Sequence, residues 1–407
     1  MNGNIFEVIV VGAGPAGLMC SYYLKHLGLE HMLFDRGRLG ESWRTQRWDN
    51  FRMITPFKAS HLPGAKLKTR KPEAYGTAAD MAVMLQEYVS AFQLPITEQA
   101  QVLSIGKASD SPVFQVSVLH DNEIVRTYDA WQVVVAAGCS NRPFVPSLSE
   151  SLSDKFGKIH SSAYRDEQQL KPGGVLVVGG GQSGLEIAQD LVSQGRKVWL
   201  SSRPHPQLPR EYRGREIFQW LTETKLLEDR SLMLNDQRSP VITYELDDVS
   251  TLTRSSLAER GVNMLGELVQ VRGQVVTFAP WCQADVDAVN ESSSSILSVI
   301  DAFITNQKLD AVESSPRHDV GASPEAASFD LEKEGITNII WATGYSSSFK
   351  DIQYPMPFQE NLHLENGLTS VDGLYIVGSN LMANSDYVVG AKIQASFVSN
   401  HIYGTLR

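Results

Sequence analysis

The sequence predicts an α/β protein with two βαβ units of one type, the second set inside the first. A short apolar strand runs into a glycine-rich turn and a helical stretch at residues 6–27, and the same pattern starts again at 174–192. Near the end, a strand at 374–377 and a helix from about 390 read as a return of the chain to its first unit. An internal repeat of this kind organises the whole reading.

The elements follow in order. Residues 6–11 (FEVIVV) form a β-branched apolar run, read as a buried parallel strand. The turn GAGPAG and a helix at 18–27 come next, and then a second strand at 30–35 that ends in Asp35. Residues 40–64 are irregular and rich in Arg, Trp and Pro, and an ordered loop of that length is usually functional. A helix is expected at 79–92, with strands at 102–105, 114–119 and 131–137. The second unit has a strand at 174–178, the turn GGGQSG, a helix at 185–192 and a strand at 198–201 that leads to Arg203. Residues 210–257 are polar, with charged clusters and aromatics, and read equally as a lid over the cleft or as a surface excursion. A helix at 285–304, a surface loop at 313–327 and a strand at 336–341 complete the pass. The expected domains are 1–165, 166–330 and 331–407, the outer two forming one discontinuous domain.

Composition narrows the function. The chain has 407 residues, 42% hydrophobic and 20% charged, enough apolar material for more than one core. A formal net charge of −10 argues against nucleic acid, which needs a basic face. The three cysteines, Cys20, Cys139 and Cys282, form no CxxC pair, so neither a zinc site nor a dithiol centre is indicated. No metal is expected. With no signal-like N-terminus and no apolar run long enough to cross a bilayer, a cytoplasmic protein without a membrane partner is expected.

The first turn supplies Gly12, Gly14, Pro15, Ala16 and Gly17. In such a turn the first glycine allows the bend, the second lets backbone approach a pyrophosphate, and the third lets helix pack on strand. The helix N-terminus adds positive dipole toward phosphate. Asp35, with Arg36 beside it, stands where an acid hydrogen-bonds ribose hydroxyls. The second turn supplies Gly179, Gly181, Gln182, Ser183 and Gly184, but its strand ends in Ser201, Ser202 and Arg203 with no acid. An acid would repel a 2′-phosphate, whereas Ser202 and Arg203 accept one. Two Rossmann-like dinucleotide-binding domains follow, the first suited to FAD and the second to NADPH. The alternative is a packing glycine turn and a surface arginine. A flavin domain joined to an NADPH domain moves hydride to an acceptor. Without a CxxC beside the flavin, dioxygen is the natural one.

Further motifs are scattered over nearly the whole chain: GESWR at 40–44, RWDNFR at 47–52, Thr55-Pro56, AAG at 136–138, GKIHSSAY at 157–164, LPR at 208–210, ATGY at 342–345 and GLYIVG at 373–378. Together, in this order, they resemble the group B flavoprotein monooxygenases, the flavin-containing and Baeyer–Villiger enzymes. The resemblance is greatest to short bacterial relatives labelled as flavoproteins linked to cation transport. It implies that residues 40–56 wrap the flavin, with Ser42, Trp43, Arg44, Trp48, Arg52 and Thr55 in contact; the alternative for Trp43 and Trp48 is that they simply bury the loop. It also places Val102, Ala137, Gly138, Gly378 and Gln394 at the FAD site. Gln182 and Ser183 face the nicotinamide half, and Thr343, Gly344 and Tyr345 stand at a crossing near it. Arg52 and Gln182 are the catalytic candidates. His160 belongs to the fingerprint FxGxxxHxxx(W/Y), one or two residues tighter here, and reads as a linker coupling domain positions. Many relatives carry an Asn after the Thr-Pro element. Here Phe57 and Lys58 follow, and Asn50 is the nearest substitute.

The resemblance thus implies an FAD- and NADPH-dependent monooxygenase. Its C4a-(hydro)peroxyflavin would oxygenate a small organic substrate at nitrogen, sulfur or a ketone. Two rivals stand beside it: an NADPH-dependent flavin reductase or oxidase with a quinone or small disulfide acceptor, and a redox-sensing flavoprotein that regulates a cation transporter. A homodimer is compatible with all three.

Overall fold

The computed structural model describes residues 5–66, 71–107, 111–138, 140–226, 240–243, 245–247, 250–313, 322–346, 366–378 and 388–407. The chain divides into two compact units, one of residues 1–44, 55–142 and 345–407, the other of 45–54 and 143–344.

In the first unit, β1 (Phe6–Val11) leads through the glycine turn into α1 (Pro15–His26) and back to β2 (His31–Phe34). The sheet continues with β3 (Ile96–Thr97), β4 (Ala100–Lys107), β5 (Phe114–His120) and β6 (Ile124–Val135), in the order β3-β2-β1-β6-β5-β4. β1 pairs with β2 and β6 in parallel register, and the strand Leu374–Ile376 also pairs with β6 in parallel. The carboxyl ends of β1, β2, β6 and Leu374–Ile376 therefore point the same way. Ile9, Val11, Val133 and Val135 pack on one face with Val102, Phe114 and Ile376. Val8, Val10 and Val134, pointing the other way, are also fully buried. Burial on both faces is why β1 reads as an unbroken apolar run. The helix Val388–Leu406 lies against α1, as the expected C-terminal return requires.

The helix Ala78–Phe92 starts at a capping box. Thr77 accepts from the Asp80 N–H, and Asp80 accepts from the Thr77 N–H at 2.8 Å. β6 starts seven residues before the expected strand because residues 124–130 pair with β5 while most of their side chains are exposed. Backbone pairing defines that half, and no apolar run announces it.

The second unit is built on a five-stranded parallel sheet, in the order Asn263–Leu265, Val198–Ser201, Gly174–Val178, Ile336–Trp341 and Gly157–His160. Val175, Val177, Leu200 and Ile340 face one core, and Leu176, Val178, Trp199 and Trp341 face another. Two boundaries differ from those expected. The strands at 157–160 and 336–341 hydrogen-bond into this sheet, so the unit runs from 143 to 344 rather than 166 to 330. It also takes residues 45–54, which were expected with the first unit, because Trp48 is buried among Tyr164, Leu170 and Val175.

A three-stranded antiparallel sheet, Glu267–Arg272, Val275–Ala279 and Ala327–Asp330, belongs to the second unit and is absent from the sequence reading. The helix expected at 285–304 is present as Gln283–Gln307. Within 210–257, the helix Ile217–Glu223 buries Ile217, Phe218, Trp220 and Leu221, and Leu252 and Leu257 join the core. The described part of that stretch is packed structure. Residues 227–239 and 314–321 lie outside the described residues.

Candidate functional site

The first unit assembles its candidate site at the carboxyl end of the sheet. Gly12 has φ +101°, and a Cβ there would lie 2.5 Å from the Ala136 carbonyl oxygen. A Cβ on Gly17 would overlap the Gly12 carbonyl, well inside the 3.0 Å that real Cβ atoms keep. The protein itself thus requires these two glycines. Gly14 is different: it has φ −71° and ψ −179°, which any residue adopts, and a Cβ there would meet nothing within 4 Å. Open space over an unstrained glycine at the start of a helix suits close approach by a pyrophosphate. Pro15 opens the helix, where a missing N–H costs nothing, and Ala16 is buried behind it.

Asp35, at the end of β2, accepts the Ala13 N–H at 2.7 Å and the Gly37 N–H at 2.8 Å. Burial holds its carboxyl above the usual range, opposed by those two N–H donors and by Arg36. Arg36 itself is exposed. From the C-terminal side, the Gly378 N–H donates to Gln394 Oε1 at 3.0 Å, and a Cβ on Gly378 would lie 2.6 Å from the Cβ of Ala16. Ala137 and Gly138 follow β6 at the same end, Gly138 with φ +79° and the Ala137 carbonyl accepting from Asn141 Nδ2. Val102 points into the sheet core and is 6% exposed.

The second turn reproduces the first. Gly179 has φ +123° with a Cβ position overlapping the Ala342 carbonyl, and a Cβ on Gly184 would overlap the Gly179 carbonyl. Gly181, with φ −72° and ψ −179°, opens onto empty space. The backbone register matches too. Gly12 N–H donates to Phe34 O and Gly179 N–H to Ser201 O, each at 2.8 Å. Ala136 N–H donates to Val11 O and Ala342 N–H to Val178 O, again at 2.8 Å. Gly138 and Gly344 have φ of +79° and +78°. Ala136-Ala-Gly138 and Ala342-Thr-Gly344 are thus equivalent, and Ser202 stands in the second unit where Asp35 stands in the first. Ala136 and Ala342 hold the two turns tight, and the glycine pattern alone does not announce them.

Gln182 and Ser183 start the helix Gln182–Ser193. The Gln182 amide donates to Glu186 Oε1 at 2.7 Å and accepts from the Ile242 N–H at 2.9 Å, pinning the strand Val241–Thr243 to the turn. Arg203 is half exposed, its Nε 3.9 Å from Glu267 Oε1, a geometry in which solvent screens most of the attraction. At the carboxyl end of the same sheet, the Gly344 carbonyl accepts from Phe144 N–H at 3.0 Å and from His160 Nε2 at 2.9 Å. Thr343 Oγ1 donates to the Phe144 carbonyl, and Tyr345 is half-buried. Burial lowers the His160 pKa, and its Nδ1 accepts from Ser162 N–H, so a neutral ring pins strand ends.

The segment expected to wrap the flavin splits by location. Ser42, Trp43 and Arg44 lie in the short helix Glu41–Thr45, Ser42 and Trp43 half-buried and Arg44 exposed. Trp48 is 5% exposed, with its ring edge-on to Phe51 at 5.1 Å. Arg52 is exposed and donates to the Phe51 carbonyl. Asn50 Nδ2 donates to Asp190 Oδ1 at 2.7 Å, and the other Asp190 oxygen accepts from Tyr164 at 2.7 Å. The amide of Asn50 is thus held in a structural network. Thr55 is buried against Ser60 at 2.7 Å. Phe57 starts the one-turn helix Phe57–Ser60.

Among the described residues no cluster of three His, Cys, Asp or Glu side chains could hold a metal, and no helix is long and apolar enough to cross a membrane.

Residues 9–230 match the family model described as pyridine nucleotide-disulphide oxidoreductase. An uncharacterized CzcO-like oxidoreductase of Geobacillus kaustophilus is 30% identical, covering 98% of this chain and 99% of its own. Among solved structures, a flavin-containing monooxygenase from Stenotrophomonas maltophilia aligns over 100% of both chains with a TM-score of 0.64 at 15% identity. A bacillithiol disulfide reductase from Bacillus cereus aligns over 99% of this chain and 100% of its own, with a TM-score of 0.64 at 14% identity.

Proposed function

Because the chain belongs to the pyridine nucleotide-disulphide oxidoreductase family, we propose that it is an FAD- and NADPH-dependent monooxygenase of the group B kind. Its substrate is a small organic molecule, oxygenated at nitrogen, sulfur or a ketone. One observation carries the reading. Each unit keeps a glycine, Gly14 or Gly181, that its own backbone does not need, and close approach of a dinucleotide to each turn accounts for both.

The first unit is the FAD domain. Gly12, Gly14 and Gly17 form the phosphate turn, Asp35 receives the adenosine ribose, and Gly378 closes the site from the C-terminal side. The second unit is the NADPH domain, where Gly179, Gly181 and Gly184 form the turn and Ser202 replaces the acid. Bound flavin supplies the redox and oxygen-transfer chemistry. The chain's own residues bind and orient. Gln182 fixes the second turn to Val241–Thr243, and neutral His160 fixes the Gly344 end. Neither has to move a proton in its described position. The likeness to flavin-containing monooxygenases supports the oxygenating reading.

The test is turnover under ¹⁸O₂ with NADPH and a panel of amines, sulfides and ketones. One labelled oxygen per product, at one NADPH consumed, is the expected outcome. NADPH oxidation that returns all the oxygen as hydrogen peroxide across the panel would refute it. A second reading, an NADPH-dependent reductase with a quinone or small-disulfide acceptor, draws on the amide of Asn50 being held by Asp190. It also draws on the similarity to a disulfide reductase. Anaerobic NADPH turnover with such acceptors, and none with oxygen, would favour it.

A further inference from the structure

Arg254 is a buried cation in the second unit that the two glycine turns do not explain. It is 5% exposed, begins the helix Arg254–Glu259 and was not among the residues singled out by the sequence. Its Nη1 donates to Ser202 Oγ, while Nη2 is buried with no hydrogen-bond partner among the described residues. Its guanidinium carbon lies 4.3 Å from the centre of the Trp281 ring, and Trp281 Nε1 donates to the Ser202 carbonyl at 2.6 Å. Ser202, Arg254 and Trp281 thus close a triangle around the end of the strand Val198–Ser201. Among the described residues no carboxylate lies within ion-pair distance of Arg254, and burial pulls its pKa down to about 10. A buried guanidinium without an anion is costly, and natural sequences rarely keep one unless something neutralises it.

Position identifies the anion. Ser202 is the backbone equivalent of Asp35, the residue placed for the adenosine ribose in the first unit. An acid at that point repels a phosphate on the ribose, and an arginine beside a serine attracts one. We propose that Arg254, stacked on Trp281 and tied to Ser202, is the residue that recognises the 2′-phosphate of NADPH, and that exposed Arg203 is not. The inference rests on the reading of the second unit as the NADPH unit. Planar stacking on Trp281 holds the guanidinium in a fixed fork, which suits bidentate hydrogen bonds to a phosphate.

The test is calorimetric titration of the full-length FAD-loaded enzyme with adenosine 2′,5′-bisphosphate and, separately, 5′-AMP. Wild type is expected to prefer the bisphosphate. Arg254→Met should lower that preference roughly 10- to 100-fold, from the loss of hydrogen bonds to a charged group. Arg203→Ala should retain it. Ser202→Asp is the second variant. It sets an acid against Arg254, so the buried guanidinium gains a counter-charge while the preference turns toward 5′-AMP. Retained preference in Arg254→Met, or its abolition in Arg203→Ala, would overturn the proposal. If Arg254→Met does not fold, bisphosphate binding by Ser202→Asp at wild-type strength would overturn it instead. A wild type with no preference would overturn the NADPH reading of the second unit as well, and so separates the two failures.

Discussion

Gly181 and Gly184 stand three residues apart in one turn, and alanine should affect them in opposite ways. At Gly181 the backbone is at φ −72° and ψ −179°, and a methyl group meets nothing within 4 Å. Loss of glycine's freedom in the unfolded chain stabilises by roughly 0.4–1 kcal/mol. Alanine is a poorer residue than glycine at a helix N-cap, by about 0.5–1 kcal/mol, which offsets the gain. Gly181→Ala should therefore melt within ~2 °C of wild type. The same methyl stands where the pyrophosphate approaches, and the lost backbone hydrogen bonds should weaken NADPH binding roughly 10- to 100-fold. At Gly184 the methyl would overlap the Gly179 carbonyl, which is rigid backbone. Overpacking of this kind costs about 1–3 kcal/mol or more, and a unit of about 200 residues loses roughly 2–4 °C per kcal/mol. Thermal melts of the ligand-free chain and NADPH titration of both variants make the comparison. Wild-type NADPH affinity in Gly181→Ala, or a melt as low as that of Gly184→Ala, would refute the assignment of Gly181 to the ligand.

Three further outcomes can be measured. Tyr164→Phe leaves one oxygen of buried Asp190 without its donor and should cost about 1–3 kcal/mol by denaturant titration; an unchanged midpoint would show the network to be dispensable. Asp35 has its folded pKa raised by burial, so the folded chain holds more protons than the unfolded one between the ordinary and the raised value. Its contribution to stability must fall as pH rises through that window, and melts of Asp35→Asn should lack that slope. Of the two described free cysteines, Cys20 is fully buried with its thiol pushed up to about 12, and Cys282 is exposed. A thiol reagent should therefore modify Cys282 in the native protein and leave Cys20 until unfolding; equal rates at the two would refute the packing around Cys20.

What the sequence made legible was periodic or glycine-marked. β1 and the strand Gly174–Val178 are buried on both faces, so their apolar runs carry their own signal, and each glycine turn announces the helix behind it. The first half of β6 is mostly exposed and held by pairing with β5, so composition leaves it silent. The sheet Glu267–Arg272, Val275–Ala279 and Ala327–Asp330 was detectable in part: Val276 and Phe278 alternate inward, and Gly273, with φ +64°, turns the hairpin. The third strand, Ala327–Asp330, joins from about fifty residues further along the chain, which no local pattern indicates. Trp48 was read from its motif either as a flavin contact or as a tryptophan that buries its loop, and the core it joins contains Tyr164 and residues of the helix Gln182–Ser193, more than a hundred residues away. Arg254 was invisible for the same reason: nothing in RSSLAE announces that Ser202 and Trp281 will surround it.

On the proposed reading, one backbone device serves two ligands. Both use an alanine carbonyl to force the first glycine, the first glycine's carbonyl to force the third, and open space at the second. None of these positions distinguishes one dinucleotide from another. The difference lies in a single equivalent position after the second strand. In the first unit Asp35 turns its charge inward, onto the Ala13 and Gly37 N–H groups of its own turn. In the second, Ser202 has no charge, and the cation behind it, Arg254, has a donor without a partner among the described residues. An acid that saturates its own loop leaves no place for a phosphate, while a serine backed by an unpaired guanidinium creates one. On the proposed reading, selectivity between the two sites follows from charge at one place, and exchanging the two residues (Asp35→Ser with Ser202→Asp) should weaken both sites. Only the second should regain the ability to bind a nucleotide lacking the 2′-phosphate, because only there does a buried arginine wait to neutralise the new acid.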